Sequence, residues 1–200
     1  MLTTSNMENK ARPNDRIPAR LDRLGGHSVG RGFTIVESLV AIAILVLVIT
    51  GTASAIQTGI SSYIFSKNQI IAFYLAQEGF EQIRNMRDEN SLRGQNWLTN
   101  VSANSSDPCY FGNACKVEPV FSSVATECGG GPGNCPILRQ SPSGFFGYNT
   151  DSSWTDTVFR REIVLTQINA DEVSILVTVD WSKGLVNRQF RARENILNWQ

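Results

Sequence analysis

The chain of 200 residues has room for one globular domain and an appendage, and its 42% hydrophobic and 18% charged residues are ordinary for a folded protein. Its formal net charge of zero hides two unlike parts: residues 1–32 carry six basic and three acidic side chains, whereas residues 33–200 carry 12 basic and 15 acidic ones. Because no basic stripe marks residues 33–200, direct contact with nucleic acid is not predicted.

An unbroken apolar segment follows the basic N-terminal part. The side chains from Leu39 to Ile49 contain no polar atom, and no charged residue lies between Glu37 and Lys67. About 20 apolar residues in a helix span the ~30 Å hydrocarbon core of a bilayer, so residues 38–60 predict a transmembrane helix rather than a buried core helix. Since basic residues precede the segment, we expect a cytoplasmic N-terminus and a C-terminal domain outside the cytoplasm.

Glu37 is a carboxylate at the edge of this apolar helix. A charged side chain at bilayer depth costs ~2.5 to 3.5 kcal/mol, so an acid there indicates a function and needs a partner. A simpler interpretation is that Glu37 only favours the positive end of the helix dipole. A secretory signal cut near Thr52-Ala53-Ser54-Ala55 is a further alternative, but it leaves Glu37 unexplained.

The sequence RGFTIVESL at residues 31–39 resembles the processing region of the type IV prepilin family, which includes type IV pilins and type II secretion pseudopilins. The match consists of Gly32, Phe33 and Glu37, the fifth residue after the cut, directly before the apolar run. In that family a membrane peptidase cuts after the glycine and methylates the new N-terminal residue. The resemblance therefore implies a cleavable leader at 1–32, N-methylation of Phe33, and prepilin peptidase as a partner.

Cleavage before Phe33 would supply the partner that Glu37 lacks. The new α-amino group is a cation with a reference pKa of ~7.7 to 8.0. Residues four apart share a helix face, so this amine can meet Glu37 of its own chain, or that of a neighbouring helix, where the pair would fix the register. Because an unpaired acid is penalised in apolar surroundings, we expect Glu37 to direct subunit assembly.

Small residues recur at every fourth position, at Gly51, Ala55 and Gly59. This spacing lets helices approach closely in apolar surroundings, although chance can also produce it. Many pilins carry a proline in this stretch, whereas this chain has none between Pro18 and Pro108. Any kink in the helix would therefore rest on the two glycines or the nearby Thr and Ser residues.

Beyond the membrane segment the pattern becomes amphipathic. Apolar residues recur at three- and four-residue steps across 61–92, which predicts that the helix continues and ends near Asp88 to Gly94. Arg160–Ile168, Val173–Trp181 and Leu185–Arg193 then alternate as strands, which predicts an antiparallel meander over 158–200. The expected fold is α+β: a long N-terminal helix, transmembrane over 33–60 and amphipathic over 61–92, packed on a small sheet in a pilin-like ladle.

Residues 93–157 are rich in Ser, Asn and Gly and contain all four cysteines, which predicts a loop region. Four cysteines in an exported segment allow three disulfide connectivities. We expect Cys109 to pair with Cys115 and Cys128 with Cys135, because short loops close most easily. A zinc site is the alternative, but paired C-x₂-C spacing is absent and no metal is predicted.

No catalytic motif is present, and the single histidine, His27, lies in the predicted leader. We therefore expect no enzyme and no cofactor, but a structural subunit, a minor pilin or pseudopilin of a type IV pilus or type II secretion pseudopilus. Its partners would be other such subunits and the assembly platform, and its location the inner membrane and then the filament. The alternative is a signal-anchored single-pass surface protein that does not polymerise.

Overall fold

The computed structural model describes residues 32–119, 124–184 and 186–198, so the predicted leader lies outside the described residues except for Gly32. The chain divides into two compact units, residues 1–50 and 51–200. One long helix is followed by a set of strands, with these bounds: α1 Ile35–Leu92, β1 Ala114–Glu118, β2 Val124–Glu127, β3 Ile137–Gln140, β4 Phe146–Gly147, β5 Thr155–Asn169, β6 Glu172–Lys183 and β7 Val186–Leu197.

Local capping defines both ends of α1. At its start the Thr34 hydroxyl accepts a hydrogen bond from the Glu37 amide at 3.2 Å, which satisfies one of the free N–H groups of the first turn. At its end Gly94 has a φ of 67°, and its amide donates to the Ser91 carbonyl at 3.0 Å. The predicted C-terminal end near Asp88 to Gly94 is confirmed, and α1 runs without interruption through Gly51 and Gly59.

The sheet is antiparallel and is organised around β5. One edge of β5 pairs with β6, with Ile163 opposite Val177, and β6 pairs in turn with β7. The other edge of β5 pairs with β3 near Arg160 and with β1 near Ile163. The three predicted C-terminal strands are confirmed; β5 and β6 extend beyond their predicted bounds at both ends, and β7 extends beyond its predicted C-terminal bound.

The region 93–157, predicted as loops, contains four strands, β1 to β4. These strands are two to five residues long; β1 pairs with β2 and β3 with β4, and β1 and β3 also pair with β5, which lies further along the chain. A strand this short carries too few residues for an alternation pattern to be distinguished from the polar sequence around it. The prediction was therefore wrong for these residues, since tertiary pairing determines their conformation.

The C-terminal half of α1 packs on the sheet to form the core. Ala72, Leu75, Ala76 and Ile83 of the helix are buried together with apolar residues of β5 and β6. Gly79 lets the two layers approach closely, since a Cβ atom there would lie 3.2 Å from Cγ1 of Val177. A long N-terminal helix on an antiparallel sheet confirms the α+β class.

Both disulfides have the expected pairing. Cys109 is bonded to Cys115 and Cys128 to Cys135, with Cα–Cα distances of 5.1 and 4.7 Å, and the structure has no free cysteine among its described residues. Cys115 lies in β1, and both bridges lie in the part of the chain that connects α1 to β5. The bridges therefore constrain a region with little regular structure of its own.

Removing one bridge should lower the free energy of unfolding by about 2 to 3 kcal/mol. This is the stabilisation expected when a disulfide that encloses so few residues restricts the unfolded chain. We expect this from the double variant Cys128→Ala/Cys135→Ala, measured by denaturant unfolding of the detergent-solubilised chain. The variant Cys109→Ala/Cys115→Ala is the matched control for loop length and should lose a similar amount. Unchanged stability in both would contradict a structural role for the bridges.

Candidate functional site

The segment before α1 is open to its surroundings. Phe33 is 79% exposed, and a Cβ atom placed on Gly32 would meet no other heavy atom within 4 Å. Packing within the described residues therefore does not require glycine at position 32. A substitution there changes the backbone and side chain that an approaching protein meets, without disturbing the core.

Glu37 lies in the first turn of α1 and is exposed. Thr34 and Glu37 have the T-x-x-E spacing of a capping box, and the Glu37 amide donates to the Thr34 hydroxyl. The sequence interpretation overlooked Thr34, although this spacing could have identified it. This bond is the half of the capping box that uses the Glu37 amide, whereas the other half would use the Glu37 carboxylate as acceptor for the Thr34 amide.

The first half of α1 presents an apolar surface on all sides. Every residue from Gly32 to Tyr63 is exposed. The most apolar 18-residue stretch of the helix has a mean hydropathy of 2.6 and is 0% buried. By length and composition this is one helix that can span a membrane as a single pass.

The small residues Gly51, Ala55 and Gly59 lie on this exposed half. Cβ atoms placed on either glycine would meet no other heavy atom within 4 Å, so the described part of the chain does not cover this face. The neighbouring hydroxyl groups bond within the helix: Thr50 donates to the Val46 carbonyl at 2.8 Å, and Thr58 donates to the Ser54 carbonyl at 3.1 Å. These bonds lower the cost of placing hydroxyl groups in apolar surroundings.

Arg161 in β5 connects the second half of α1 to the sheet through hydrogen bonds, and we call it the anchor. Its side chain is fully buried, and Nη1 donates to Oε2 of Glu78 at 2.6 Å and to the Leu75 carbonyl at 3.1 Å. Nη2 donates to the Val117 carbonyl at 3.1 Å, so one guanidinium joins α1, β1 and β5. The sequence interpretation overlooked this anchor, although alternation with Ile163 along β5 places position 161 on the core face.

Two further polar contacts support the anchor. The Tyr148 hydroxyl donates to the Arg161 carbonyl at 3.2 Å, and burial raises the pKa of Tyr148, so the phenol stays protonated. On α1, Arg84 forms ion pairs with Glu81 and with Glu194 of β7, and its hydrogen bond to Glu194 raises the pKa of Arg84. The helix is thus joined by charged groups to strands on both sides of β6.

Within the described ranges, no group of three or more His, Cys, Asp or Glu side chains could hold a metal ion. The four cysteines are in disulfides, so none is available as a thiolate ligand. The features that stand out are therefore an exposed N-terminal segment, an apolar helix and a buried anchor.

Searches against protein-family models, curated proteins and solved structures each found no match for this chain. Function is therefore inferred from the residues and contacts of the chain itself.

Proposed function

We propose that this chain is a filament subunit, a minor pilin or pseudopilin of a type IV pilus or type II secretion pseudopilus. The observation that carries the proposal is the combination of Gly32, Phe33 and Glu37 at the start of a 58-residue helix. The first half of this helix is exposed and apolar. A helix of this kind needs apolar surroundings along its first half, which a bilayer supplies before assembly and neighbouring helices supply after it.

The proposed assembly step uses charges at the start of α1. After cleavage, the Phe33 amine is a cation two residues before the helix begins at Ile35. The Glu37 side chain is exposed, so in this proposal its carboxylate accepts the amine of its own or a neighbouring chain. Pairing in an apolar filament core would be favourable only at the axial offset that joins the two groups.

In this proposal the second half of α1 carries the folded domain. Arg161, Gly79 and the buried apolar residues hold it on the sheet, so the folded domain stays attached while the first half moves between surroundings. The chain would reside in the inner membrane with this domain outside the cytoplasm and would then enter the filament. Its partners would be prepilin peptidase, other subunits and the assembly platform.

One observation favours the second candidate, a signal-anchored single-pass surface protein that does not polymerise. The Thr34–Glu37 spacing is that of an ordinary helix start, where an acid is favourable whether or not a filament forms. The two candidates differ in the N-terminus of the mature chain. Filament subunits begin at a methylated Phe33, whereas an anchored protein retains Met1 or begins downstream near Ser54.

Mass analysis of the chain purified from its native membrane tests the proposal. We expect an N-terminal peptide that begins at Phe33 and carries one added methyl group. In Gly32→Val we expect only full-length precursor, because the branched side chain lies next to the bond that the peptidase cuts. The substitution should not disturb the fold, since a Cβ atom at position 32 meets no other heavy atom within 4 Å among the described residues. Gly26→Val, in the same leader, is the control and should mature normally; normal maturation of Gly32→Val would contradict the assigned cleavage site.

A further inference from the structure

A groove lies beside α1 just beyond its apolar half. It has a volume of about 530 Å³ and lies between one face of α1 and the hairpin formed by β6 and β7. The residues that define it are Ser61, Ser62, Phe65 and Ser66 of the helix, and Trp181 and Arg188 of the hairpin. All of these residues belong to the unit 51–200.

The groove combines one cation with hydroxyl groups and aromatic rings. Arg188 is the charged residue of its lining, and the guanidinium carbon lies 5.2 Å from the centroid of the Phe65 ring. Trp181 is only 5% exposed and forms an apolar wall. Asp180, which precedes it in β6, lines a neighbouring groove that Trp181 and Arg188 also border, and it accepts a hydrogen bond from Gln189 at 2.8 Å. The groove therefore suits a ligand with an anionic group and an aliphatic part.

The groove also lies at the right depth for a lipid headgroup. The uncharged apolar stretch ends at Ile60, and Ser61 to Phe65 extend only about 6 to 8 Å further along the helix. The polar headgroup layer on each side of a bilayer is roughly 5 to 8 Å thick. Tyr63, on the same turn, is 68% exposed, and tyrosine is typical of this interface.

We propose that this groove binds the headgroup of an anionic phospholipid in the leaflet nearest the folded domain. Arg188 pairs with the phosphate, serine hydroxyls donate to its oxygens, and Phe65 and Trp181 contact the glycerol and upper acyl carbons. The inference rests on the membrane-spanning part of the proposed function, but not on cleavage or polymerisation. The inference predicts that the groove holds the folded domain against the membrane surface until the subunit leaves the bilayer.

The test uses the full chain in mild detergent, titrated with phosphatidylglycerol or phosphatidylcholine and followed by native mass spectrometry. We expect phosphatidylglycerol to be retained in preference to phosphatidylcholine. Arg188→Gln should weaken phosphatidylglycerol binding about fivefold, the effect of one basic side chain at an anionic surface, whereas Arg188→Lys should largely retain it. Arg191→Gln is the matched control, because Arg191 lies on the opposite face of β7 and should not affect binding.

Three outcomes of the lipid titrations would overturn the inference. Equal retention of the two lipids would remove the role of the anionic group, and equal losses in Arg188→Gln and Arg191→Gln would indicate diffuse attraction without a site. Retention of a second copy of the chain in place of lipid would assign the groove to a subunit contact. Flotation of the chain with vesicles is measured first: failure to float contradicts both proposals, whereas flotation without lipid preference contradicts only this one.

Discussion

Glu37→Gln should insert into the membrane and be cleaved at Gly32, yet fail to enter filaments. Glutamine keeps the side-chain length and still fits the capping-box spacing with Thr34, so only the charge is lost. Removing one partner of a buried, hydrogen-bonded charge pair costs ~2 to 5 kcal/mol, which lowers incorporation about 30-fold or more. The measurement is the ratio of filament-associated to membrane-associated chain, determined on sheared filaments and washed membranes.

Thr34→Val separates the charge of Glu37 from its effect on the helix start. It removes the cap and leaves the carboxylate, at a cost of about 1 kcal/mol in helix stability. If the filament requires the carboxylate, Thr34→Val incorporates far better than Glu37→Gln. Equal incorporation of the two variants, or normal incorporation of Glu37→Gln, would show that Glu37 serves only the start of the helix. Cleavage is scored separately for each variant, since Thr34 is close to the cut.

Glu78→Ala should destabilise the folded domain by about 3 kcal/mol, because it leaves the fully buried Arg161 guanidinium without its counter-ion. The Glu78 side chain is itself partly exposed, so the loss lies at the lower end of the range for buried pairs. Denaturant unfolding in detergent, followed by tryptophan fluorescence, measures it. The buried Trp97, Trp154 and Trp181 report on the region that unfolds.

Glu81→Ala is the matched control for this experiment. Glu81 lies one turn further along α1 and pairs with Arg84 at 2.6 Å, but both of those side chains are substantially exposed, so its removal should cost less than ~1 kcal/mol. The double variant Arg161→Met/Glu78→Leu removes both charges and should recover much of the stability lost in Glu78→Ala. Equal losses in Glu78→Ala and Glu81→Ala would contradict the role of Arg161 as an anchor.

Long elements with a regular pattern were predictable from the sequence. The apolar run and the amphipathic continuation specify α1, and the alternation in β5 to β7 specifies the large hairpins, because local pattern and tertiary packing agree there. The disulfide pairing was also predictable, since the short loops from Cys109 to Cys115 and from Cys128 to Cys135 have the lowest entropy cost of closure among the possible pairings.

The short strands and the anchor depend on contacts between distant parts of the chain. β1 pairs with the neighbouring β2 over four residues and with β5 over two, and nothing within its five residues indicates the pairing with β5. Alternation with Ile163 places Arg161 on the core face of β5, but its partners, Glu78 and the Val117 carbonyl, lie 83 and 44 residues earlier in the chain. Residues 32, 33 and 37 were identified from the resemblance to the type IV prepilin processing region, and the packing of the described residues neither requires nor encloses them.

The anchor also affects the order in which the protein can fold during synthesis. Arg161 is made 83 residues after Glu78, which at ~5 to 20 residues per second is a delay of roughly 4 to 17 s. Throughout that interval the apolar stripe of α1 that later covers the sheet has no partner from β5. In the topology proposed above, a newly exported chain would therefore wait, with its N-terminal helix already in the bilayer, for β5 to β7 to be translated before the domain is complete.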